Sequence, residues 1–186
     1  DEPLGALDRA WRARLMEEIR GLLDRAALPA IYVTPDHDEA FTIAARLAVM
    51  RAGRVVQQGT PAEVWRRPAD AWTARFFGFG PATPCTSHAG ALETPWGILP
   101  APAGTPEGRV DLVFRPDALR LDTAGPVAGT VTGATFTGEL VTLTVEAAPG
   151  AALTVRVPQR HAPAVGDRVC VAVDTDGLLV YRQTDG

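Results

Sequence analysis

Lysine is absent from this sequence of 186 residues, and all 18 of its Lys and Arg positions are arginine. A nucleotide-binding P-loop of the form G-x-x-x-x-G-K-[ST] requires a lysine that reaches the outer phosphates. The chain therefore holds no P-loop of this form. Long apolar runs are also missing: none approaches the ~18 residues that indicate a membrane-spanning helix. We therefore expect no segment to cross a bilayer.

Cysteine and histidine are scarce. The two cysteines, Cys85 and Cys170, lack the spacing of a metal site and have no evident partner, which favours a reduced, cytoplasmic setting. His88 and His161 have no acidic or cysteine neighbours at ligand spacing, so neither is assigned to a metal.

A positive charge surplus is missing too, because the net charge is −4. Residues 1–80 contain 11 Arg and 11 Asp or Glu, whereas residues 81–186 contain 7 Arg and 11 Asp or Glu. Neither part offers the positive field that attracts nucleic acid. Nucleic acid is therefore excluded as an expected partner.

The first ~80 residues alternate between helical and strand patterns, which is typical of an α/β fold. Apolar residues at helical spacing predict a helix over 8–26, with Asp8 at its N-cap. The run at 30–34 predicts a buried parallel strand. A helix over 37–45 and a hairpin that turns at Ala52-Gly53 follow.

Two short helices are predicted next. Thr60-Pro61-Ala62-Glu63 is a capping box with proline at the first helical position. A second short helix is expected over 70–77, and its aromatic residues are interpreted as packing residues rather than a ligand site.

The spacing of the apolar residues changes after Gly78-Phe79-Gly80-Pro81: beyond this segment, runs appear in which every second residue is apolar. Turn signals separate these runs, and the spacing predicts a small all-β barrel or sandwich. Trp96-Gly97 is interpreted as part of a hairpin in which the indole has an ordinary packing role, in the core or at the turn. The predicted domains are therefore 1–79 and 80–186. The period-two runs are Val127/Gly129/Val131, Val141/Leu143/Val145, Leu153/Val155/Val157 and Val169/Val171/Val173.

The opening octet, Asp1-Glu2-Pro3-Leu4-Gly5-Ala6-Leu7-Asp8, resembles the end of the Walker B strand and the D-loop of ATP-binding-cassette (ABC) ATPases. A carboxylate at Asp1 suits Mg²⁺ beside ATP, and one at Glu2 suits a general base that activates water. In the family, Gly5, Ala6, Leu7 and Asp8 would contact a second ATPase subunit. The alternative is an acidic chain end with Asp8 as a simple helix cap.

Residues 32–40, Y-V-T-P-D-H-D-E-A, resemble the switch loop of the same family. The family histidine that senses the γ-phosphate is replaced here by Pro35, which has no side-chain or backbone donor. His37 follows two residues later. It either reaches the site after a local shift or is a solvated residue at the helix start, and we favour the second interpretation.

The later segments continue the resemblance. Residues 45–65 are similar to the hairpin and the Gly-Thr-Pro-x-Glu-Val helix that close the cassette core in importers. Arg115-Pro116-Asp117 is similar to the Arg-Pro-Glu signature of the transport-associated OB (TOBE) domain. The implied fold is an α/β remnant of a P-loop NTPase cassette core followed by an all-β, OB-like small barrel.

The resemblance implies that the chain is a C-terminal fragment of an importer ATPase subunit. The fragment lacks the P-loop, the glutamine-bearing loop and the signature motif, and its start at Asp1 is expected to be a truncation. The complete protein would use ATP and Mg²⁺ and act with permease subunits and a second copy of itself at the cytoplasmic face of the membrane. The fragment alone is expected to bind no nucleotide and to be inactive. Ferric iron and polyamine rank first among the candidate solutes.

Two alternatives stay open. The β-region suits a non-enzymatic OB-type module that binds a small ligand, including small anions of the kind bound by molybdate-binding relatives of this domain. The missing P-loop and Pro35 also suit an inactive remnant.

Overall fold

The chain divides into two compact units at residues 69 and 70, which we call the N-terminal unit and the C-terminal unit. The structure is a computed structural model that describes residues 8–26, 29–148 and 150–183. The division assigns the second short helix to the same unit as the β-strands. The boundary between the family domains, expected at 79/80, stays a prediction.

The N-terminal unit contains three helices and one hairpin within its described residues. The predicted helix over 8–26 is confirmed, and Met16 on this helix packs with Ile43 on the next one. Trp11 and Leu22 fit the same helical spacing of apolar residues but are 63% and 58% exposed. The elements are α1 Arg9–Ala26, α2 His37–Ile43, β1 Leu47–Arg51, β2 Arg54–Gly59 and α3 Pro61–Arg66.

The hairpin of β1 and β2 turns where it was predicted. Arg51 pairs with Arg54, and the two residues between them, Ala52 and Gly53, have φ angles of 48° and 74°. A two-residue turn with both φ angles positive matches the right-handed twist of the strands. Gly53 adopts this conformation without a steric cost, whereas Ala52 is held there by the pairing on either side.

The strand predicted over residues 30–34 is absent, which corrects the sequence-based expectation. Residues 29–36 form no regular secondary structure, and the side chain of Ile31 is 95% exposed. A strand is stable only when a neighbour completes its hydrogen-bond ladder. Within the described residues of this unit, β1 and β2 pair only with each other.

The capping box of α3 is confirmed. The Thr60 hydroxyl accepts from the Glu63 amide at 3.3 Å, and the Glu63 carboxylate accepts from the Thr60 amide at 2.8 Å. The hydrogen bonds from Thr60 hold the pKa of Glu63 below its usual range. Two otherwise unpaired amides at the helix start are thereby satisfied.

The C-terminal unit is almost entirely antiparallel β-sheet. One sheet has the strand order β10-β9-β8-β11-β7 and the other has the order β12-β6-β3-β4-β5. After residue 80, helical structure in the described residues is limited to two 3₁₀ turns. The elements are α4 Ala71–Phe76, β3 Thr83–His88, β4 Ala91–Thr94, β5 Gly97–Pro100, β6 Gly108–Phe114, β7 Leu119–Leu121, β8 Val127–Phe136, β9 Leu140–Ala148, β10 Ala151–Pro158, β11 Arg168–Val173 and β12 Leu178–Arg182.

Both sheets contribute to one hydrophobic core. Leu92 and Leu112 come from one sheet, Leu143 and Val171 from the other, and all four are fully buried. Strand β10 alternates buried and exposed positions along its whole length, as its period-two pattern predicts. Its sheet nearly closes on itself because the edge strands β7 and β10 approach each other. The expectation of an all-β, barrel-like unit is thus confirmed.

Candidate functional site

Five of the predicted site residues, Asp1, Glu2, Gly5, Ala6 and Leu7, lie outside the described residues. The magnesium and general-base roles given to Asp1 and Glu2 therefore stay predictions.

Asp8 is the first of the predicted site residues that the structure describes. Its carboxylate accepts from the Trp11 amide at 3.1 Å, and its carbonyl accepts from the Arg12 amide at 2.9 Å. These bonds confirm Asp8 as the N-cap of α1. Its predicted contact with a second subunit remains untested.

Pro35 and His37 flank the start of α2. Asp36 lies between them, and its carboxylate caps the helix by accepting from the amides of Asp38 and Glu39 at 2.9 and 3.2 Å. His37 is therefore the first helical residue. Its imidazole Nε2 lies 3.7 Å from the Asp38 carboxylate, and its ring packs edge-on against Phe41.

A buried carboxylate, Glu39, organises this segment, and it was not singled out from the sequence. Its side chain is 4% exposed and accepts from the Tyr32 phenol at 2.9 Å and from the Thr34 hydroxyl at 2.8 Å. The Arg12 guanidinium on α1 lies 3.5 Å from Glu39 and 3.7 Å from Asp36. The sequence does contain a signal for this cluster. Two hydroxyl residues, Tyr32 and Thr34, stand two positions apart just before a helix whose first turn is acidic.

The electrostatics of this cluster follow from its burial. An isolated buried carboxylate is costly, but hydrogen bonds and a cation offset the desolvation. Burial, followed by the hydrogen bond to Glu39, raises the pKa of Tyr32 to about 12, while Arg12 acts in the opposite direction. The cluster thereby fixes the segment around Pro35 to both α1 and α2.

Potential metal ligands among the described residues bear on the predicted Mg-ATP site. Within the described ranges, no three His, Cys, Asp or Glu side chains group as metal ligands. Asp1, the predicted Mg²⁺ ligand, lies outside the described residues, and the sequence offers no lysine for the phosphates.

Two further expectations can be compared with the described residues. Cys85 and Cys170 are both free thiols, and burial, followed by nearby Asp111, raises the pKa of Cys85. No helix in the described part of the chain is long and apolar enough to cross a membrane.

Comparison with known proteins relates the chain to transport proteins. Residues 112–180 match the model of the TOBE domain. The whole chain aligns at 42% identity with the Fe(3+) ions import ATP-binding protein FbpC of Streptomyces avermitilis, covering 54% of that protein. The chain is a homologue of ABC importer ATP-binding proteins and carries a TOBE domain. The Arg115-Pro116-Asp117 signature falls within the matched TOBE residues.

A second importer relative has a different named solute. The sn-glycerol-3-phosphate import ATP-binding protein UgpC of Chromohalobacter salexigens is 40% identical over 97% of the chain, which covers 52% of that protein. The chain thus spans about half the length of these ABC importer relatives.

Among solved structures, the chain has a distant likeness. The cytoplasmic molybdate-binding protein ModG matches 54% of the chain and 94% of its own, with 14% identity and a TM-score of 0.46.

Proposed function

We propose that the protein to which this chain belongs is the ATP-binding and ATP-hydrolysing subunit of an ABC-type solute importer. The observation that carries the proposal is the alignment of the entire chain with an importer ATP-binding protein at 42% identity. The order of the motifs supports it, because the D-loop-like octet, the switch-loop-like segment and the TOBE domain follow one another as in the family. The activity belongs to the complete protein rather than to this half of it.

The roles of individual residues follow from this proposal. Residues 1–79 would be part of a P-loop NTPase cassette core, in which Asp1 holds Mg²⁺ and Glu2 activates the attacking water. Gly5 to Asp8 would face a second copy of the subunit. The assembly would sit at the cytoplasmic face of the membrane, bound to permease subunits.

Ferric iron is the solute we propose first, because the S. avermitilis relative carries that name. The alternative is sn-glycerol-3-phosphate, which the C. salexigens relative is named for. Uptake of radiolabelled iron and of labelled glycerol phosphate, in cells with and without the intact gene, separates the two solutes.

A chimera tests the ATPase assignment. In it, this chain replaces the matched segment of the S. avermitilis relative, so that the relative supplies the P-loop half. We expect the chimera to hydrolyse ATP and Glu2→Gln to lower turnover by about 10²–10⁴-fold, the usual contribution of a general base. Glu93→Gln, an exposed acid on β4, is the matched control and should leave turnover unchanged.

Two results would contradict the proposal in different ways. A chimera that does not hydrolyse ATP, while its parent does, would reject the ATPase function. An active chimera that is insensitive to Glu2→Gln would reject only the role given to Glu2.

An inactive remnant is the second candidate, and Pro35 is the observation that favours it. Proline cannot donate a hydrogen bond to a γ-phosphate from its side chain or its backbone. A chimera that binds ATP as its parent does but hydrolyses it no faster than the uncatalysed background would support this alternative.

A further inference from the structure

A cleft of about 250 Å³ opens on the surface of the C-terminal unit. Its walls come from the segment before β3, the β4–β5 turn, the end of β6 and the edge strand β10. At ~30 Å³ for each water of the liquid, it holds roughly eight water molecules. It is therefore sized for a small ligand rather than for a peptide or a nucleotide.

Charge in the cleft has one sign. Among the described residues, the charged ones that line it are Arg115 and Arg156. This is unusual for its surroundings, because residues 70–186 contain 8 Arg and 12 Asp or Glu. A cleft in an acidic unit that is lined by two arginines and by no described acidic residue favours an anionic ligand.

The two arginines differ in how they are held. The Arg115 backbone is anchored by its amide, which donates to the Gly177 carbonyl at 3.0 Å. Burial raises the pKa of Tyr181, the nearby charge of Asp70 raises it further, and the half-buried Arg115 acts in the opposite direction. Arg156 lies on the exposed face of β10 and has no ion-pair partner among the residues that the structure describes. Arg156 is therefore the group most available to a ligand.

The remaining lining supplies an apolar wall and a polar edge. The rings of Trp96 and Phe114 pack with their centroids 5.4 Å apart and tilted by 60°. The Trp96 indole donates to the Ala151 carbonyl at 3.2 Å, which fixes the ring against the edge strand. The Thr154 hydroxyl lies on the same exposed face of β10 as Arg156 and adds a hydrogen-bonding group.

We propose that this cleft binds a small organic anion, with its acidic group on Arg156 and Arg115 and its apolar body against Trp96 and Phe114. A planar guanidinium forms paired hydrogen bonds with a carboxylate, and an aromatic wall contributes most to a ligand that has an apolar part. The signature arginine of the TOBE domain thereby gains a ligand-binding role. The proposal does not depend on ATP hydrolysis.

Titration of the ¹⁵N-labelled full chain, followed by NMR at the Trp96 indole N–H, tests the proposal. Trp96→Phe identifies that signal among the four tryptophans. The probe is benzoate, compared with neutral benzamide of the same shape and with inorganic phosphate, which lacks an apolar body. We expect a saturable shift with benzoate, and binding of benzamide and of phosphate that is weaker by about tenfold.

Substitutions then localise the site. Arg156→Gln should weaken benzoate binding about tenfold, and Arg156→Lys should weaken it less because the charge remains. Arg168→Gln, an exposed arginine on β11 outside the cleft, is the matched control and should have no effect. The proposal is overturned if benzoate causes no shift, if benzamide or phosphate binds as tightly as benzoate, or if Arg168→Gln weakens binding as much as Arg156→Gln.

Discussion

The phenol of Tyr32 donates a hydrogen bond of 2.9 Å to the carboxylate of Glu39, which is the buried centre of the N-terminal unit's polar cluster. Thr34 donates to the same carboxylate oxygen, and Arg12 lies on the other one. One side chain of α2 thus holds the segment that contains Pro35.

Replacing Glu39 should loosen this segment. Glu39→Gln removes the charge that faces Arg12; with the amide oxygen kept toward the two hydroxyls, its NH₂ donor lies against the guanidinium donor, which we expect to cost about 1–3 kcal/mol. Native-state hydrogen exchange of the α2 amides is the suitable measurement, because the two units need not unfold together. Glu17→Gln, the same change at an exposed site on α1, should leave α2 unaffected. Equal exchange rates of the α2 amides in the two variants would show that Glu39 does not stabilise this segment.

Alkaline pH should destabilise the folded chain through its tyrosines. Tyr32 keeps its proton up to about pH 12 when folded but loses it near the ordinary value of 10.0 when unfolded. Its contribution to stability is therefore complete below pH 10 and is lost as the pH rises toward 12. Because the chain has no lysine, few other groups titrate in that window.

Tyrosinate absorbance measures this effect directly. The chain has two tyrosines, so Tyr181→Phe leaves Tyr32 as the only absorbing phenol. We expect its titration midpoint near pH 12 in the folded variant and near pH 10 in denaturant. A folded-state midpoint near pH 10 would be incompatible with the buried hydrogen bond to Glu39.

Restoring the family histidine should raise ATP turnover. In the chimera with the P-loop half, Pro35→His adds a donor where the family uses one, and a donor of this kind is typically worth about 10²–10³-fold in rate. We expect at least a tenfold increase, since the neighbouring backbone has adapted to proline. Pro29→His, in the same irregular segment, is the control. Equal rates for Pro35→His and the unmodified chimera would reject a catalytic effect of Pro35.

The chain by itself should not bind ATP. Most of a phosphate site consists of the backbone amides of the P-loop and its lysine, and this sequence contains no such motif. Isothermal calorimetry of the chain with ATP and Mg²⁺ should therefore show no binding near micromolar concentrations, whereas the chimera should bind. Saturable binding by the chain alone would contradict the assignment of the missing phosphate site.

The stability of the C-terminal unit should depend on whether a substituted leucine is buried in the core, not only on its being a leucine. Leu143 is fully buried in the shared core, and Leu140 on the same strand is 41% exposed. Leu143→Ala should lower the free energy of unfolding by about 2–5 kcal/mol, and Leu140→Ala should lower it by less than about 1 kcal/mol. Urea unfolding, followed at the Trp96 indole signal, reports on this unit alone. Similar losses for both variants would contradict the core assignment.

Local patterns were predicted well because their causes lie within a few residues. The N-cap at Asp8, the capping box of Thr60 and Glu63 and the turn at Ala52-Gly53 each depend on hydrogen bonds or φ angles inside one short segment. Strands β8, β9, β10 and β11 followed from the four period-two apolar runs. Such features are determined before any distant part of the chain is in place.

The strand predicted at 30–34 failed for the opposite reason. Its apolar, β-prone composition was correct, but a ladder needs a neighbour, and the described part of this unit offers none. Trp11 and Leu22 are exposed for a related reason: helical spacing identifies a stripe, but packing partners decide which of its residues become buried.

The sequence by itself determined the caps and turns, the kinship with ABC importer ATP-binding proteins and the lack of a P-loop motif in this chain. Only the tertiary structure decided that Glu39 is buried among two hydroxyls and a guanidinium, and that Arg115 and Arg156 line one cleft. The reason is distance along the chain. Arg115 and Arg156 are brought to one cleft by strands β6 and β10, whose sheets share a core. No local sequence pattern predicts that these two residues lie near each other.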